Sequence, residues 1–129
     1  MRLQVFIVDD SIELLTALDQ TLTDLEIGRC VGTALTEADA LAWLDAPTEP
    51  WDVLVLEPRL GQGNGLSLLE RCRGRPAHQK LVVFTYYATD EMRRYCLAQG
   101  ADAVFDKSTQ LVALIGHLDR LRSVKADPA

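Results

Sequence analysis

Short apolar runs alternate with segments of helical periodicity along the whole chain. Residues 5–8, 53–56 and 81–84 are unbroken apolar runs bounded by polar or turn-forming residues, a pattern typical of strands buried on both faces of a parallel sheet. Residues 29–35 and 101–105 carry weaker strand signals and are predicted to lie at the sheet edges. The pattern therefore predicts five strands, with the three most apolar in the centre.

Apolar residues spaced three and four apart predict a helix after each strand. The first helix is expected to begin after an N-cap at Asp10 or Ser11 and to end near Gly28. Its apolar stripe consists of Leu15, Leu18, Leu22 and Leu25. Thr36 and Thr89 are predicted to cap the second and fourth helices.

The third and fifth helices complete the series. The third is predicted to follow the glycine-rich loop at residues 61–65, and the fifth is predicted to begin after an N-cap at Ser108 or Thr109. The apolar stripe of the fifth helix consists of Leu111, Leu114, Ile115, Leu118 and Leu121. The loop does not have the GxGxxG spacing and has no Walker lysine, so a nucleotide-binding role for it is disfavoured.

Strands that alternate with helices, without a repeat or an internal linker, predict an α/β domain with a doubly wound parallel sheet and right-handed crossovers. The order 2-1-3-4-5, which is flavodoxin-like, is favoured because the first, third and fourth strands are the most apolar. A chain of 129 residues has the size of one domain. We expect residues 1–123 to form it and residues 124–129 to form a C-terminal tail.

Composition narrows the classes of function. A net charge of -6 and a pI near 4.8 disfavour direct contact with nucleic acid, because a phosphate backbone would be repelled. Cys30, Cys72 and Cys96 lie far apart in the chain and are expected to be reduced thiols, which favours a cytoplasmic protein. The first strand begins almost at Met1, with no signal peptide before it, and no apolar run approaches the roughly 18 residues needed to span a bilayer.

Polar side chains follow the strand ends. Asp9 and Asp10 follow the first strand, Glu57 the third, Thr85 the fourth and Lys107 the fifth. The carboxyl ends of parallel strands meet at one edge of a sheet, so these residues are predicted to converge. Three carboxylates so close would repel one another without cations. A divalent ion together with Lys107 would meet that need, and Mg²⁺ accepts carboxylate, water and phosphate oxygens.

These residues resemble the site of the receiver domain of two-component response regulators, and the resemblance covers the whole chain. Asp9 and Asp10 look like the acidic pair that binds Mg²⁺. Glu57 stands at the position of the phospho-accepting Asp, Thr85 matches the switch Ser/Thr, and Lys107 matches the phosphate-sensing Lys.

The resemblance also implies ligands, partners and a mode of action. We expect weak Mg²⁺ binding through Asp10, Glu57 and the backbone carbonyl of Arg59, with Asp9 reaching the ion through water. The protein is expected not to be an enzyme, beyond phosphotransfer to its own site. It is expected to contact a histidine kinase or another signalling protein through its fourth helix, fifth strand and fifth helix.

Four residues depart from the family pattern. Glu57 is one methylene longer than Asp, and a misplacement of about 1 Å can cost on the order of 10²-fold in rate. Tyr86 stands where the family usually has a small residue, and it is predicted to narrow access to the site. Val104 stands where an aromatic switch residue is common, although Phe105 is adjacent. Ser108 replaces a proline that often follows a cis bond, so we expect a trans bond or a strained exception.

Several functions stay open from the sequence. The favoured one is a stand-alone receiver that acts through protein contacts, with Glu57 either mimicking phosphorylation or disabling the site. Glu57 could also be an engineered replacement of Asp, or an output domain could have been removed from a longer regulator. A phosphatase of the haloacid-dehalogenase type is a remote alternative, because the segment 9–13 does not follow its Asp-x-Asp-x-Thr/Val motif.

Overall fold

The computed structural model describes residues 1–126 of the chain. Strands and helices alternate from one end to the other, as the apolar pattern predicts. In chain order the elements are β1 (Leu3–Val8), α1 (Ile12–Asp24), β2 (Gly28–Ala34), α2 (Glu37–Asp45), β3 (Val53–Leu56), α3 (Leu66–Arg71), β4 (Lys80–Thr85), α4 (Asp90–Ala98), β5 (Ala103–Asp106) and α5 (Leu111–Ala126).

All neighbouring strands pair in parallel, in the order β2-β1-β3-β4-β5. This confirms the predicted fold class and strand order. In the register, Val8 pairs with Leu56, and Leu56 pairs with Val83. The carboxyl ends of β1 and β3 are therefore level, and β4 continues two residues further, to Thr85, toward the same edge of the sheet.

The strands bury both of their faces because helices cover the sheet on both sides. Alternate residues of β1 show this: Phe6 and Val8 belong to one core, whereas Val5 and Ile7 belong to the other. The first core packs α2, α3 and α4 against the sheet, and the second packs α1 and α5. Apolar side chains therefore cover both faces of the strands that end at the polar edge.

Side-chain caps fix where three helices begin. The hydroxyl of Ser11 accepts from the N–H of Leu14, so Ser11, and not Asp10, is the N-cap of α1. Thr36 and Thr89 cap α2 and α4 in the same way, as predicted. The side chain of Asp10 therefore does not cap α1.

Some predicted boundaries differ from the structure. Helix α1 ends at Asp24, before the predicted Gly28, because Glu26 adopts a positive φ of 57° and Gly28 already begins β2. Leu25 therefore leaves the apolar stripe and is 56% exposed. Leu111, at the first turn of α5, is also exposed, whereas Leu114 and Leu118 are buried as predicted.

The last helix extends through Ala126, past the predicted domain end at Ser123. The rest of the predicted tail, at residues 127–129, lies outside the described residues. Within residues 1–126, none of the helices combines the length and the hydropathy that a membrane crossing requires.

Candidate functional site

The carboxyl edge of the sheet brings four of the predicted residues together. Asp9 follows β1 and Glu57 follows β3, and the N–H of Glu57 donates to the carbonyl of Val8 at 2.9 Å. At the same edge, between β4 and β5, the N–H of Lys107 donates to the carbonyl of Thr85 at 3.0 Å. Backbone pairing alone therefore fixes the Cα positions of the site.

The centre of the site is a buried ion triad formed by Asp9, Glu57 and Lys107. Lys107 Nζ lies 2.6 Å from Asp9 Oδ2 and 2.9 Å from Glu57 Oε1. The Lys107 side chain is 6% exposed, and Asp9 and Glu57 are 2% and 3% exposed. One ammonium thus lies between two carboxylates in an environment with little water to screen them.

Backbone donors hold the outer oxygens of the triad. Asp9 Oδ1 accepts from the N–H of Ser11 at 2.9 Å, and Glu57 Oε2 accepts from the N–H of Arg59 at 3.0 Å. Every carboxylate oxygen of the triad therefore has a donor from the chain itself. This meets the requirement that buried charges be both paired and hydrogen-bonded.

Burial and pairing shift the ionisation of the triad. Burial is the largest influence on Asp9 and raises its pKa above 3.8, although Lys107 and the N–H of Ser11 act in the opposite direction. For Lys107, burial lowers the pKa, but its hydrogen bonds to Asp9 and Glu57 outweigh burial and raise the pKa above 10.5. Lys107 is therefore cationic at neutral pH.

Thr85 is completely buried but faces its own loop. Its hydroxyl oxygen accepts from the N–H of Tyr87 at 3.1 Å. Among the hydrogen bonds within residues 1–126, none joins Thr85 to Glu57. The structure thus places Thr85 beside the triad without connecting its hydroxyl to it.

Asp10 lies on the same edge but holds a loop. It is exposed, and its Oδ2 accepts from the N–H of Gly61 at 2.8 Å. Sequence reasoning missed this contact, because it joins residues 51 positions apart through a loop of irregular conformation.

In the structure, the carboxylates predicted to bind Mg²⁺ accept hydrogen bonds from the chain itself. Glu57 is committed to Lys107 and Arg59, and Asp10 is committed to Gly61. In the part of the chain that the structure describes, no three His, Cys, Asp or Glu side chains meet in a metal-ligating group. A cation here would have to compete with donors of the chain for both carboxylates.

Two exposed tyrosines, Tyr86 and Tyr87, lie beside residues of the site. The Tyr86 ring is 63% exposed, and Lys107 Nζ lies 5.2 Å from its centroid. The Arg59 guanidinium lies 4.0 Å from the centroid of Tyr87. Both contacts have the geometry of cation–π interactions. Tyr86 therefore lies beside Lys107, the residue that the resemblance predicts to sense phosphate.

Val104 stands where the resemblance leads one to expect an aromatic residue, and Phe105 follows it. Val104 is buried on the side of α2, α3 and α4, whereas Phe105 points to the opposite core and contacts His117 at a ring distance of 5.4 Å. Val104 and Phe105 therefore face opposite sides of the sheet. The peptide bond before Ser108 is trans, like every other bond in residues 1–126.

Comparison with known proteins agrees with this geometry. Residues 5–119 match the sequence profile of the family described as the response regulator receiver domain. The fold is similar to the receiver domain of the Francisella response regulator 1452, with a TM-score of 0.81, 19% identity, and 96% and 99% of the two chains covered.

Two further solved structures are similar in fold. One is a chain of the CheX–CheY–BeF3–Mg²⁺ complex from Borrelia burgdorferi, with a TM-score of 0.79, 20% identity, and 95% and 88% of the two chains covered. The other is response regulator DrrB, a Thermotoga maritima OmpR/PhoB homologue, with a TM-score of 0.79, 22% identity and 97% of this chain covered. The match spans only 54% of the DrrB chain.

Proposed function

The chain belongs to the response regulator receiver domain family, and on that premise we propose that it signals through protein contacts while Glu57 keeps its site closed to phosphorylation. Receiver domains act in two-component signalling and are not, in general, enzymes. The haloacid-dehalogenase alternative is not retained, because the family match covers residues 5–119.

The buried triad is the observation that carries this proposal. A phosphoryl group on residue 57 would need the carboxylate free as a nucleophile and Lys107 free to accept phosphate oxygens. Here Glu57 and Lys107 already satisfy each other at 2.9 Å, and Asp9 holds Lys107 from the other side at 2.6 Å. Phosphorylation would therefore have to break a hydrogen-bonded buried ion pair before any chemistry began.

The geometry also bears on how Glu57 acts. Its carboxylate reaches Lys107, as a mimic of phosphorylation would, but the Thr85 hydroxyl is engaged with Tyr87 and does not join it. We therefore propose that Glu57 holds one constant state of the receiver. That state presents α4, β5 and α5 to a histidine kinase or another signalling protein, in a cytoplasmic setting.

Phosphorylation by acetyl phosphate, followed by intact mass, tests the proposal. We expect no phosphoryl adduct on the wild-type chain in the presence of Mg²⁺. Glu57→Asp should form the adduct, because the shorter side chain withdraws from Lys107 and restores the acceptor position. If only Glu57→Asp combined with Tyr86→Ala is labelled, the Tyr86 ring is the barrier.

Glu57→Gln supplies the matched control, because it keeps the side-chain length and removes the nucleophile. Stable labelling of wild-type Glu57 that is absent from Glu57→Gln would overturn the proposal. Failure of both Asp variants to accept phosphate, with a folded protein and a competent donor, would show that the edge is not a latent phosphorylation site.

Weak Mg²⁺ binding is part of the same proposal. The ion is expected to bind in the millimolar range through Asp10, Glu57 and the Arg59 carbonyl, because it must displace donors that the chain supplies. The amide signals of Arg59 and Gly61 report this directly, since they donate to Glu57 and Asp10. No shift of either signal, or the same shift in Asp10→Asn, would contradict these ligands.

A second candidate is a receiver that belongs to a longer regulator. The DrrB match supports it, because this chain corresponds to about half of that protein. Sequencing of the gene around this segment would distinguish the two candidates, and it would also show whether residue 57 is Glu in the natural protein.

A further inference from the structure

Arg93, on α4, makes hydrogen bonds to three different segments. Its Nη1 donates to the carbonyl of Val104 on β5 at 2.7 Å, and its Nε donates to the carbonyl of Ala88 in the β4–α4 loop at 3.2 Å. Its Nη2 donates to Gln110 Oε1 at 2.6 Å, just before α5 begins. One guanidinium therefore ties together the elements that form the α4–β5–α5 face.

Gln110 extends this network to the loop that carries Lys107. The same Oε1 that accepts from Arg93 also accepts from the N–H of Asp106 at 2.9 Å. The N–H of Gln110 donates back to the carbonyl of Asp106 at 2.8 Å. Asp106 is the last residue of β5 and directly precedes Lys107, so the position of Lys107 depends on the amide oxygen that Arg93 holds.

The acceptors of Arg93 suit arginine and no other residue. All three are neutral oxygens, and none of the salt bridges within residues 1–126 involves Arg93. A guanidinium offers five donors in a rigid fork and stays charged at any ordinary pH. Lysine would keep the charge but could not reach three acceptors in fixed directions.

We propose that Arg93 is a positioning residue that joins α4, β5 and the Lys107 loop into one unit, and so fixes the α4–β5–α5 face in a single arrangement. It does this beside Val104, where the aromatic residue expected of a rotamer switch is missing. The proposal deepens the proposed function, because it explains how a site that is not phosphorylated presents a constant surface.

Amide hydrogen exchange in the unphosphorylated protein tests the unit. Arg93→Lys is expected to accelerate exchange of the Asp106 and Lys107 amides by on the order of tenfold, because each loses indirect support from a charged hydrogen bond. Neither amide touches Arg93, so a residue that only anchored α4 would leave them unchanged. The Glu57 carboxyl carbon signal should shift as well, since Lys107 would be less well held.

The reciprocal change tests the same connection from the other side. Gln110→Leu removes the shared acceptor and should accelerate exchange of the Arg93 amide, which donates to the carbonyl of Thr89 within α4. Gln110→Glu keeps an acceptor oxygen in place and should retain wild-type exchange at Arg93 and Asp106. Amide exchange in the double variant, Arg93→Lys with Gln110→Leu, should be no faster than in the single variant with the faster exchange.

Arg94→Lys is the matched control, because it is the same substitution at the exposed neighbouring position of the same helix. It should leave all these amides unchanged. If Arg93→Lys affects α4 alone, or if Gln110→Leu leaves the Arg93 amide unchanged, the unit does not exist. The measurement needs no phosphorylation and no partner, so the proposed function can fail while this inference stands, and the reverse also holds.

Discussion

Replacing Lys107 with methionine removes the cation that lies between two buried carboxylates. The substitution keeps much of the side-chain volume, so the main change is electrostatic. Asp9 and Glu57 would lose their contacts at 2.6 Å and 2.9 Å and would face each other without a counter-charge. Their backbone donors, Ser11 and Arg59, would remain.

The expected cost follows from this geometry. Removing one partner of a buried ion pair typically costs about 3 to 5 kcal/mol, because a charge stays buried and uncompensated. Two carboxylates are left here, which places Lys107→Met toward the upper end of that range. By contrast, Arg71 pairs with Asp45 at 3.0 Å while both side chains are largely exposed. Arg71→Met should therefore cost only about 0 to 1 kcal/mol.

Urea denaturation of the two variants beside the wild type measures the difference. The unfolding free energy of Lys107→Met should fall well below that of Arg71→Met at neutral pH. Adding Asp9→Asn to Lys107→Met should recover part of the loss, because one buried charge disappears. A cost for Lys107→Met no larger than that of Arg71→Met would refute the conclusion that the triad is dry and closed.

The pH dependence gives the sign of the effect independently. The folded state raises the pKa of Asp9 above 3.8, mainly through burial. Its contribution to stability is therefore complete below pH 3.8 and is lost as the pH rises through the raised value. Removing Lys107 takes away contacts that lower the pKa of Asp9, so that pKa rises further and the stability deficit of Lys107→Met should grow as the pH rises through it. The wild type should instead lose the Lys107 contribution only in strongly alkaline solution, above pH 10.5.

Two further substitutions test the supports of the site. Gly63→Ala should lower the unfolding free energy by about 1 to 3 kcal/mol, because Gly63 has a φ of 91° and its added Cβ would collide with Glu37. Gly74→Ala is the control and should lower it less, because a Cβ added at Gly74 meets no atom within 4 Å. Ser11→Ala should cost about 1 kcal/mol through loss of the α1 N-cap, whereas Ser123→Ala on the exposed side of α5 should cost almost nothing. Thermal denaturation checks both pairs, and equal losses within a pair would contradict the reasoning.

The predictions that held were those that depend on strand register. Thr85 ends β4, and Asp9, Glu57 and Lys107 each follow directly on a strand. Any parallel sheet with this order must therefore gather the four residues at one edge. The apolar run at Val53–Leu56 was enough to locate Glu57, because a strand buried on both faces has few alternatives. The local apolar pattern and the position of β3 in the fold therefore agree.

The contacts that could not be predicted join loops and side chains far apart in the chain. The contact of Asp10 with Gly61 depends on the path of a glycine-rich loop, and no periodicity encodes that path. Arg93 lies between Met92 and Cys96 on a helix with a partly buried side. The sequence did not indicate that Arg93 would bind backbone and amide oxygens. These acceptors belong to β5 and to the residue before α5, which come close to Arg93 only in the folded protein.

The carboxylates at this edge have hydrogen-bond donors that the sequence did not reveal. The sequence predicts repulsion among three carboxylates, which a divalent ion together with Lys107 would offset. In the structure, Lys107 bridges two of them, and backbone N–H groups satisfy their outer oxygens. The third, Asp10, is exposed, so water screens its charge. The chain's own donors therefore pair with both carboxylates of the triad. A divalent ion that binds Glu57 must replace the contact between Glu57 and Lys107, and the free energy of that new contact must exceed that of the one it replaces.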